Sequence, residues 1–544
     1  MRGKWVSIAF FAAALVVFFF ANRAAYKGYF SDDDLDNLGW PTIAGEDTFV
    51  TAILTPRFSE TNLRPIGDLY YRYLGRAYKL RFPPYVFVLQ LLHVLNAVLL
   101  FCLLRRLDFS NVAAGAGALF YGLNAVILEA CWKPMYIFDV LCATFCLTAL
   151  LLYLRGRWIM AIVPFWLAYK SKEIVVMLPV ALLAYEWLLG ERKWKRLIPY
   201  FLISLSFGLQ ALWANRLLPQ SNQYSLQFSP GVLWHSIAFY SSAIFLVPFA
   251  GLALLLLPLL VRDKRLYLGI IFMAAAFVPM LVLPARLAGV YWYIPLIGVA
   301  IAAAAIASRT PQWALALFFV LWLPLNYLMV RDKRREILAL ADENRWFTEG
   351  LVQYARRIPP VKGVVYRDVP EHMHSWGAEG AIHQVFGSGV DAVWYLNPEA
   401  KRVMANVPMA VVSYYPVPPA VKGMLRARDG LQSYLRCSDY VPKPQLGDGW
   451  YDNSGDVCRV KPSAELTLYR PDDAREFEIK LQGPGLSNVT VFEDGVSLGT
   501  LSRSDPQPLR WKLAPGTSGD KHIKILSEPA GAAGIAISSL GYEP

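Results

Sequence analysis

The sequence predicts an α-helical polytopic membrane domain of about 11 transmembrane helices, followed by an extracytoplasmic mixed α/β segment and a β-sandwich. Three observations carry this prediction. Of 544 residues, 56% are hydrophobic and only 17% are charged, with a mean hydropathy of +0.36, whereas a soluble domain carries about 25% charged residues. Apolar stretches of membrane-crossing length recur as far as residue 330. From about residue 464 onward, apolar and polar residues alternate with the period of a half-buried strand. An ordinary soluble enzyme and a disordered chain are both excluded.

A membrane-crossing helix needs about 20 predominantly apolar residues. Eleven runs qualify, at roughly 4–22, 84–104, 111–131, 134–154, 157–170, 173–190, 197–217, 232–260, 266–284, 290–307 and 312–330. The fifth is short, and the eighth, at 29 residues, reads as tilted or as continuing into an interfacial turn. The first exceeds the apolar run of about 7–15 residues found in a signal peptide and reads as a retained anchor.

The net charge of +12 is concentrated in these same residues, with 27 basic and 15 acidic residues in 1–330 against 26 of each in 331–544. The basicity therefore belongs to membrane loops, and no nucleic-acid partner is expected. Cytoplasmic loops carry an excess of Lys and Arg. One phase puts fourteen cations inside, at Arg2/Lys4, Arg105/Arg106, Arg155/Arg157, Arg192/Lys193/Lys195/Arg196, Arg262/Lys264/Arg265 and Arg309. The N-terminus is then cytoplasmic, and the loop 23–83 and the region 331–544 are extracytoplasmic. The default compartment is a bacterial inner membrane with a periplasmic C-terminal region, and the alternative is the endoplasmic reticulum membrane. The basic run 331–335 is a misfit on the outer side, although long translocated regions are largely exempt from the rule.

This divides the chain into a membrane domain, 1–330, with a structured external loop, 23–83; a mixed α/β segment, 331–461; and a β-sandwich, 462–544. The loop has 61 residues, eight of them acidic and eight basic, too many for a simple connection. In it Ile66, Leu69, Tyr70, Tyr73, Leu74, Ala77 and Tyr78 recur at helical spacing while Arg72, Arg76, Lys79 and Arg81 point elsewhere. This is the pattern of an amphipathic interfacial helix, and a soluble helix packed on the tail is the alternative. In the sandwich the alternating pairs are Phe477/Ile479/Leu481, Val489/Val491, Leu509/Trp511/Leu513 and Ile523/Ile525, with Asp494-Gly495 as a turn.

Cys102, Cys131, Cys142 and Cys146 lie in or beside apolar helices and read as packing. Cys437 and Cys458 lie in the external region, where an oxidising compartment permits a disulfide.

Acidic residues inside membrane spans are costly and usually functional. Four lie within the apolar runs: Glu129 and Glu173 at external helix ends, Asp139 a turn into the next span, and Glu186 near the cytoplasmic end. Three of them share a side with Asp32, Asp33 and Asp34, and so do Lys133, Lys170, Lys172 and Arg286. A pocket there could bind a phosphate and deprotonate a hydroxyl. Each member also has a plain structural reading: the aspartate run as a helix N-cap, Lys170 and Lys172 as snorkelling cations, and Gln90, His93 and Asn96 as an interhelical hydrogen-bonding face.

Several motifs in order are similar to those of one family. The segment Tyr29-Phe30-Ser31-Asp32-Asp33-Asp34 resembles the acidic motif in the first external loop of GT-C glycosyltransferases, membrane enzymes that use polyprenyl-phosphate-linked sugars. Arg64-Pro65, Leu91-Leu92-His93 with Asn96, the segment 124–141 with Glu129 and Asp139, Ser171-Lys172-Glu173, and the segment 291–298 beginning at Tyr291 resemble successive motifs of the protein O-mannosyltransferase-like branch. The family's His-Pro before the glutamate is Asn124-Ala125 here, its arginine before the later aspartate is Phe138, and its Glu-Arg before the tyrosine segment is missing, leaving Arg286 five residues upstream.

The resemblance implies a GT-C-like fold over 1–330 and transfer of a sugar from a polyprenyl-phosphate donor to an acceptor hydroxyl, with inversion, on the extracytoplasmic side. The acceptor would be a glycan, a lipid or a protein. Such a transfer needs a base for the acceptor proton and cations for the departing phosphate. Asp33 or Asp34 is expected as the base, with Glu129 positioning the acceptor or orienting the loop. Lys172 and Arg286, with Arg64 or Lys170 as substitutes, are expected to hold the phosphate, and Asp32, His93, Asp139, Glu173 and Tyr291 to support the site. No ligand set for a divalent metal is indicated, though the family contains metal-using members. The competing readings are a lipid or glycan transporter or flippase, and a non-catalytic membrane scaffold of the same fold.

Overall fold

The computed structural model describes residues 2–56, 64–217, 222, 224–397, 399–400, 403, 408–416, 419–426, 432–437, 446–451, 457–482, 488–502, 508–528 and 535–543. The chain divides into two compact units, Met1–Asn344 and Arg345–Pro544.

The first unit is helical. Its helices are α1 (Arg2–Asn22), α2 (Asp32–Ile43), α3 (Glu46–Leu54), α4 (Pro65–Tyr78), α5 (Pro83–Arg106), α6 (Asn111–Gly122), α7 (Glu129–Trp132), α8 (Ile137–Leu154), α9 (Trp158–Ser171), α10 (Leu178–Leu188), α11 (Ile198–Arg216), α12 (Pro230–Ala243), α13 (Leu257–Leu260), α14 (Lys264–Leu281), α15 (Pro295–Ala307) and α16 (Gln312–Met329). Helix α17 (Arg331–Ala355) begins in this unit and crosses the boundary.

Each of the eleven apolar runs contains a helix, and these helices differ in length. Among the described residues five helical segments are long and apolar enough to cross a membrane: Pro83–Arg106, Pro134–Leu154, Trp194–Arg216, Lys264–Leu281 and Gln312–Ala355. The run at 111–131 breaks at Asn124, whose side chain accepts the Val126 N–H and starts a short 3-10 turn. The 29-residue run at 232–260 breaks after α12, where Leu246 and Phe249 take positive φ (55° and 56°) and the chain continues as a 3-10 segment. Apolar composition does not reveal such breaks, because a backbone reversal within a bundle leaves the side chains apolar.

Helix α4 sits on α2, α3, α8 and α9. Its inward face matches the apolar stripe only at Tyr70: Pro65, Gly67, Asp68, Tyr70, Tyr71, Arg72 and Gly75 are buried, whereas Tyr73 is 64% and Tyr78 40% exposed. The buried Arg72 is satisfied by the carbonyls of Pro41 and Ala44 and lies over the Phe49 ring. A glycine is required at 67, since a Cβ there would lie 2.1 Å from the Phe138 ring.

The second unit has two parts. In the first, α18 (Ser375–Phe386) connects the parallel strands β1 (Gly363–Tyr366) and β2 (Asp391–Trp394). The strands β3 (Met409–Pro416) and β4 (Pro419–Arg426) complete a sheet of order β2-β1-β3-β4. The remaining strands are β5 (Tyr434–Arg436), β6 (Cys458–Val460), β7 (Ser463–Arg470), β8 (Glu476–Gln482), β9 (Asn488–Glu493), β10 (Val496–Ser502), β11 (Leu509–Lys512), β12 (Gly519–Glu528) and β13 (Ile535–Glu543). They form two sheets, β10-β9-β12-β7 and β11-β8-β13-β5, with β6 also on β13. Their inward residues share one core containing Leu468, Phe477, Ile479, Val491, Trp511, Ile523 and Ile537. Strands β5 and β6 lie upstream of 462, so these sheets recruit residues from the segment read as α/β. The Asp494-Gly495 pair takes positive φ at both positions (48° and 84°), as a two-residue hairpin requires. Cys437 and Cys458 are joined by a disulfide with Cα atoms 5.1 Å apart.

Candidate active site

The acidic motif opens α2. Leu35 N–H donates to the Ser31 carbonyl, which makes Ser31 the cap and Asp34 the third helical residue. The Asp34 carboxylate reaches back to accept from the Ser31 N–H and hydroxyl, both at 2.8 Å, and from the Tyr71 hydroxyl at 2.6 Å. This is half of a capping box closed by a tyrosine of α4. Asp34 is fully buried, and burial pushes its carboxyl up to about 6, against the hydrogen bonds from Tyr71 and Ser31. Asp33 is half-buried and lies within the electrostatic reach of Arg286, Tyr71 and Tyr136. The side chain of Asp32 lies outside the described residues.

The cations predicted to share this side are mostly held by carboxylates. Lys172 Nζ lies 2.6 and 2.8 Å from the two oxygens of Asp139, and both side chains are buried. Arg64 makes a bidentate pair with Glu173, at 3.1 Å from Nε and 2.7 Å from Nη2, and covers the Phe138 ring. The Lys172 ammonium lies 5.0 Å from the Tyr291 ring centre. Arg286 packs on the Tyr224 ring at 4.7 Å and bonds to Tyr291. Burial works against the Arg286 charge, but the Tyr291 and Tyr224 oxygens and Asp33 outweigh it and hold its pKa up. Glu129 takes ion pairs from Lys133 at 3.1 Å and Lys333 at 3.8 Å, which gives one member of the basic run 331–335 a partner.

Asp33, Glu129, Asp139, Lys172, Arg286 and Tyr291 are linked through shared neighbours. Tyr136 lies within the reach of Asp33, Glu129, Asp139 and Tyr291. Lys172 and Arg64 lie within reach of each other, and Arg64 also of Asp139 and Tyr224. Two predicted members are engaged elsewhere. Lys170 donates to the Thr55 carbonyl at 2.6 Å and lies against Trp166 and Phe207, tying α9 to the end of α3. His93 contacts the Tyr293 hydroxyl at 2.7 Å and the Gly122 carbonyl at 3.0 Å, and stacks on Phe18 and Tyr121. With Asn96, which donates to Tyr293 and the Val140 carbonyl, it forms the interhelical network that its spacing allowed. Among the described residues no group of three or more His, Cys, Asp or Glu is arranged to hold a metal ion.

Tyr71, Tyr136, Tyr224 and Asp68 join these contacts and are not among the residues expected from the sequence. Tyr71 is one position off the apolar stripe of α4, which is the signal that could have found it. Asp68 is the only acid of α4, four residues after Arg64; burial pushes it up to about 7 against the pull of Arg64. Tyr224 follows a polar stretch without a motif, and nothing in the sequence marks it.

No family model matches the chain, and no curated protein matches it. Among solved structures the chain is similar to the crystal structure of ArnT from Cupriavidus metallidurans bound to undecaprenyl phosphate. That likeness has a TM-score of 0.45 and 14% sequence identity, and covers 79% of this chain and 97% of that one.

Proposed function

We propose that this chain is a membrane glycosyltransferase of the GT-C type that moves a sugar from a polyprenyl-phosphate donor to an acceptor hydroxyl at the extracytoplasmic membrane boundary. The observation that carries this reading is the half-buried Asp33 carboxylate within the reach of Arg286, beside two cation–carboxylate pairs, in a helical unit rich in apolar residues.

In the proposed reaction Asp33 takes the proton of the acceptor hydroxyl as its oxygen attacks the anomeric carbon. The bond from that carbon to the phosphate oxygen breaks, and polyprenyl phosphate leaves with the electron pair. A single displacement of this kind inverts the anomeric configuration. Arg286 stabilises the departing phosphate, while Lys172 and Arg64 add positive field from within their ion pairs. Asp34, fully buried and already accepting from Ser31 and Tyr71, is closed to an acceptor hydroxyl and instead fixes the start of α2. The difference in burial supports Asp33 over Asp34 as the base. Glu129, held by Lys133 and Lys333, orients the loop before α8.

The test is release of polyprenyl phosphate by the purified full chain in nanodiscs, across several polyprenyl-phosphate sugars, for wild type and Asp33→Asn. Turnover lost in a folded Asp33→Asn protein supports the reading. Failure to bind any donor overturns it in favour of a transporter or scaffold.

A further inference from the structure

At the other end of α14 and α15 from Arg286 and Tyr291 lies a second cluster of charge. Helix α14 has 18 residues, so the two ends are separated by about 27 Å. Three loops distant in sequence meet there around a polar cavity of about 470 Å³. Its cations are Arg106 after α5, Arg262, Lys264 and Arg265 before α14, and Arg309 after α15; its acids are Asp108 and Asp263.

These cations are not equivalent. Arg265 is bound on both sides by Asp263, at 3.2 and 2.9 Å, and lies over the Phe109 ring, so it serves the fold. Arg309 donates to the Arg262 carbonyl at 3.1 Å and reaches Asp263 only at 3.7 Å. Arg262 and Lys264 are exposed and have no side-chain hydrogen bond or ion pair among the described residues. The positive-inside tendency explains why cations lie on this face, but not why three separate loops aim them into one cavity with fewer acids than cations.

We propose that this cavity binds the phosphate-bearing headgroup of an acidic phospholipid from the leaflet on this face, with Arg262, Lys264 and Arg309 as its cations. The lining supports a lipid over a free anion. Leu107, Tyr185 and Leu189 form part of the wall. Just before Arg262, Leu259 and Leu260 are each 78% exposed, and Trp187, near Leu189, is 62% exposed. A phosphodiester held by the cations would lead its acyl chains onto these apolar side chains, and basic pockets between membrane helices are known to take such headgroups. The inference does not depend on the proposed sugar transfer.

Native mass spectrometry of the full chain released from detergent after incubation with phosphatidylglycerol tests it. Wild type is expected to retain phosphatidylglycerol in preference to phosphatidylethanolamine. The triple variant Arg262→Gln/Lys264→Gln/Arg309→Gln is expected to lose retention on the order of tenfold or more, while Arg155→Gln/Arg157→Gln, in a loop outside the cavity, keeps it. If the triple variant is not monodisperse, Lys264→Gln alone is read, with a loss of about fivefold. Equal retention by the cavity variant, equal loss in the control, or equal retention of the zwitterionic lipid overturns the proposal. Displacement of the lipid by glycerol 3-phosphate at the same concentration also overturns it, assigning the cavity to a soluble phosphate.

Discussion

Asp33 and Asp34 are adjacent in sequence and have different surroundings. Asp34 is sealed beneath Tyr71 and Ser31, while Asp33 is half-buried. Removing a general base typically costs about 10²–10⁴ in rate, so Asp33→Asn is expected to lose at least 100-fold in donor turnover with an unchanged unfolding temperature. Asp34→Asn cannot accept from all three donors, and is expected to lose about 1–3 kcal/mol of stability. An Asp33→Asn protein that turns over like wild type would remove Asp33 from the mechanism.

Lys172 and Asp139 provide a second separation at this scale. Lys172→Met leaves Asp139 charged, buried and unpaired, at an expected cost of about 3–5 kcal/mol. Adding Asp139→Asn should restore most of the stability. If the pair also supports the phosphate, the double variant stays slow, whereas recovered turnover would make the pair purely structural.

Asp68 gives the pH dependence. Burial raises its carboxyl from 3.8 to about 7. Between these values the unfolded group has lost its proton while the folded one keeps it, so stability is highest below about pH 4 and falls until about pH 7. Asp68→Asn is therefore expected to be more stable than wild type at pH 8, by on the order of 4 kcal/mol, and to gain nothing at pH 4. Unfolding temperatures in detergent at the two pH values check this, and equal values at pH 8 would contradict it.

At the scale of elements, the contact of α4 with α8 depends on Gly67 lying against Phe138, which carries Arg64 on its ring. Gly67→Ala must displace that ring and is expected to cost about 1–3 kcal/mol, with a fall in turnover as Arg64 shifts. Much of this layer was legible in the sequence. The helical period marked α4, and alternation marked the sandwich strands, because both signals come from which side chains meet water. Which face of α4 turns inward was not legible. Its buried face pairs Asp68, Tyr71 and Arg72 with partners on α2, on the segment between α2 and α3, and next to Arg64, and it leaves part of the apolar stripe exposed. Hydrophobic periodicity cannot rank a polar face that is satisfied by distant residues.

For the whole molecule, the charge asymmetry of the loops sets an expectation for topology. A membrane-impermeant thiol reagent should modify Ser497→Cys from the extracytoplasmic side, and Lys264→Cys only after the membrane is opened. Labelling in the reverse order would invert both the proposed site of transfer and the leaflet of the proposed lipid.

Composition, apolar runs and strand alternation by themselves determined a helical membrane unit followed by β-sheets, because burial against lipid or within a sandwich leaves a periodic signal in the chain. The motif residues also pointed to one end of the helices. Only the tertiary structure decided that Asp34 is sealed, that Lys170 bonds to the Thr55 carbonyl and His93 to Tyr293, and that Lys172 and Arg64 are held by Asp139 and Glu173. Each outcome includes a partner 33 to 200 residues away, and the cost of leaving a buried polar group unpaired is settled only when such partners meet.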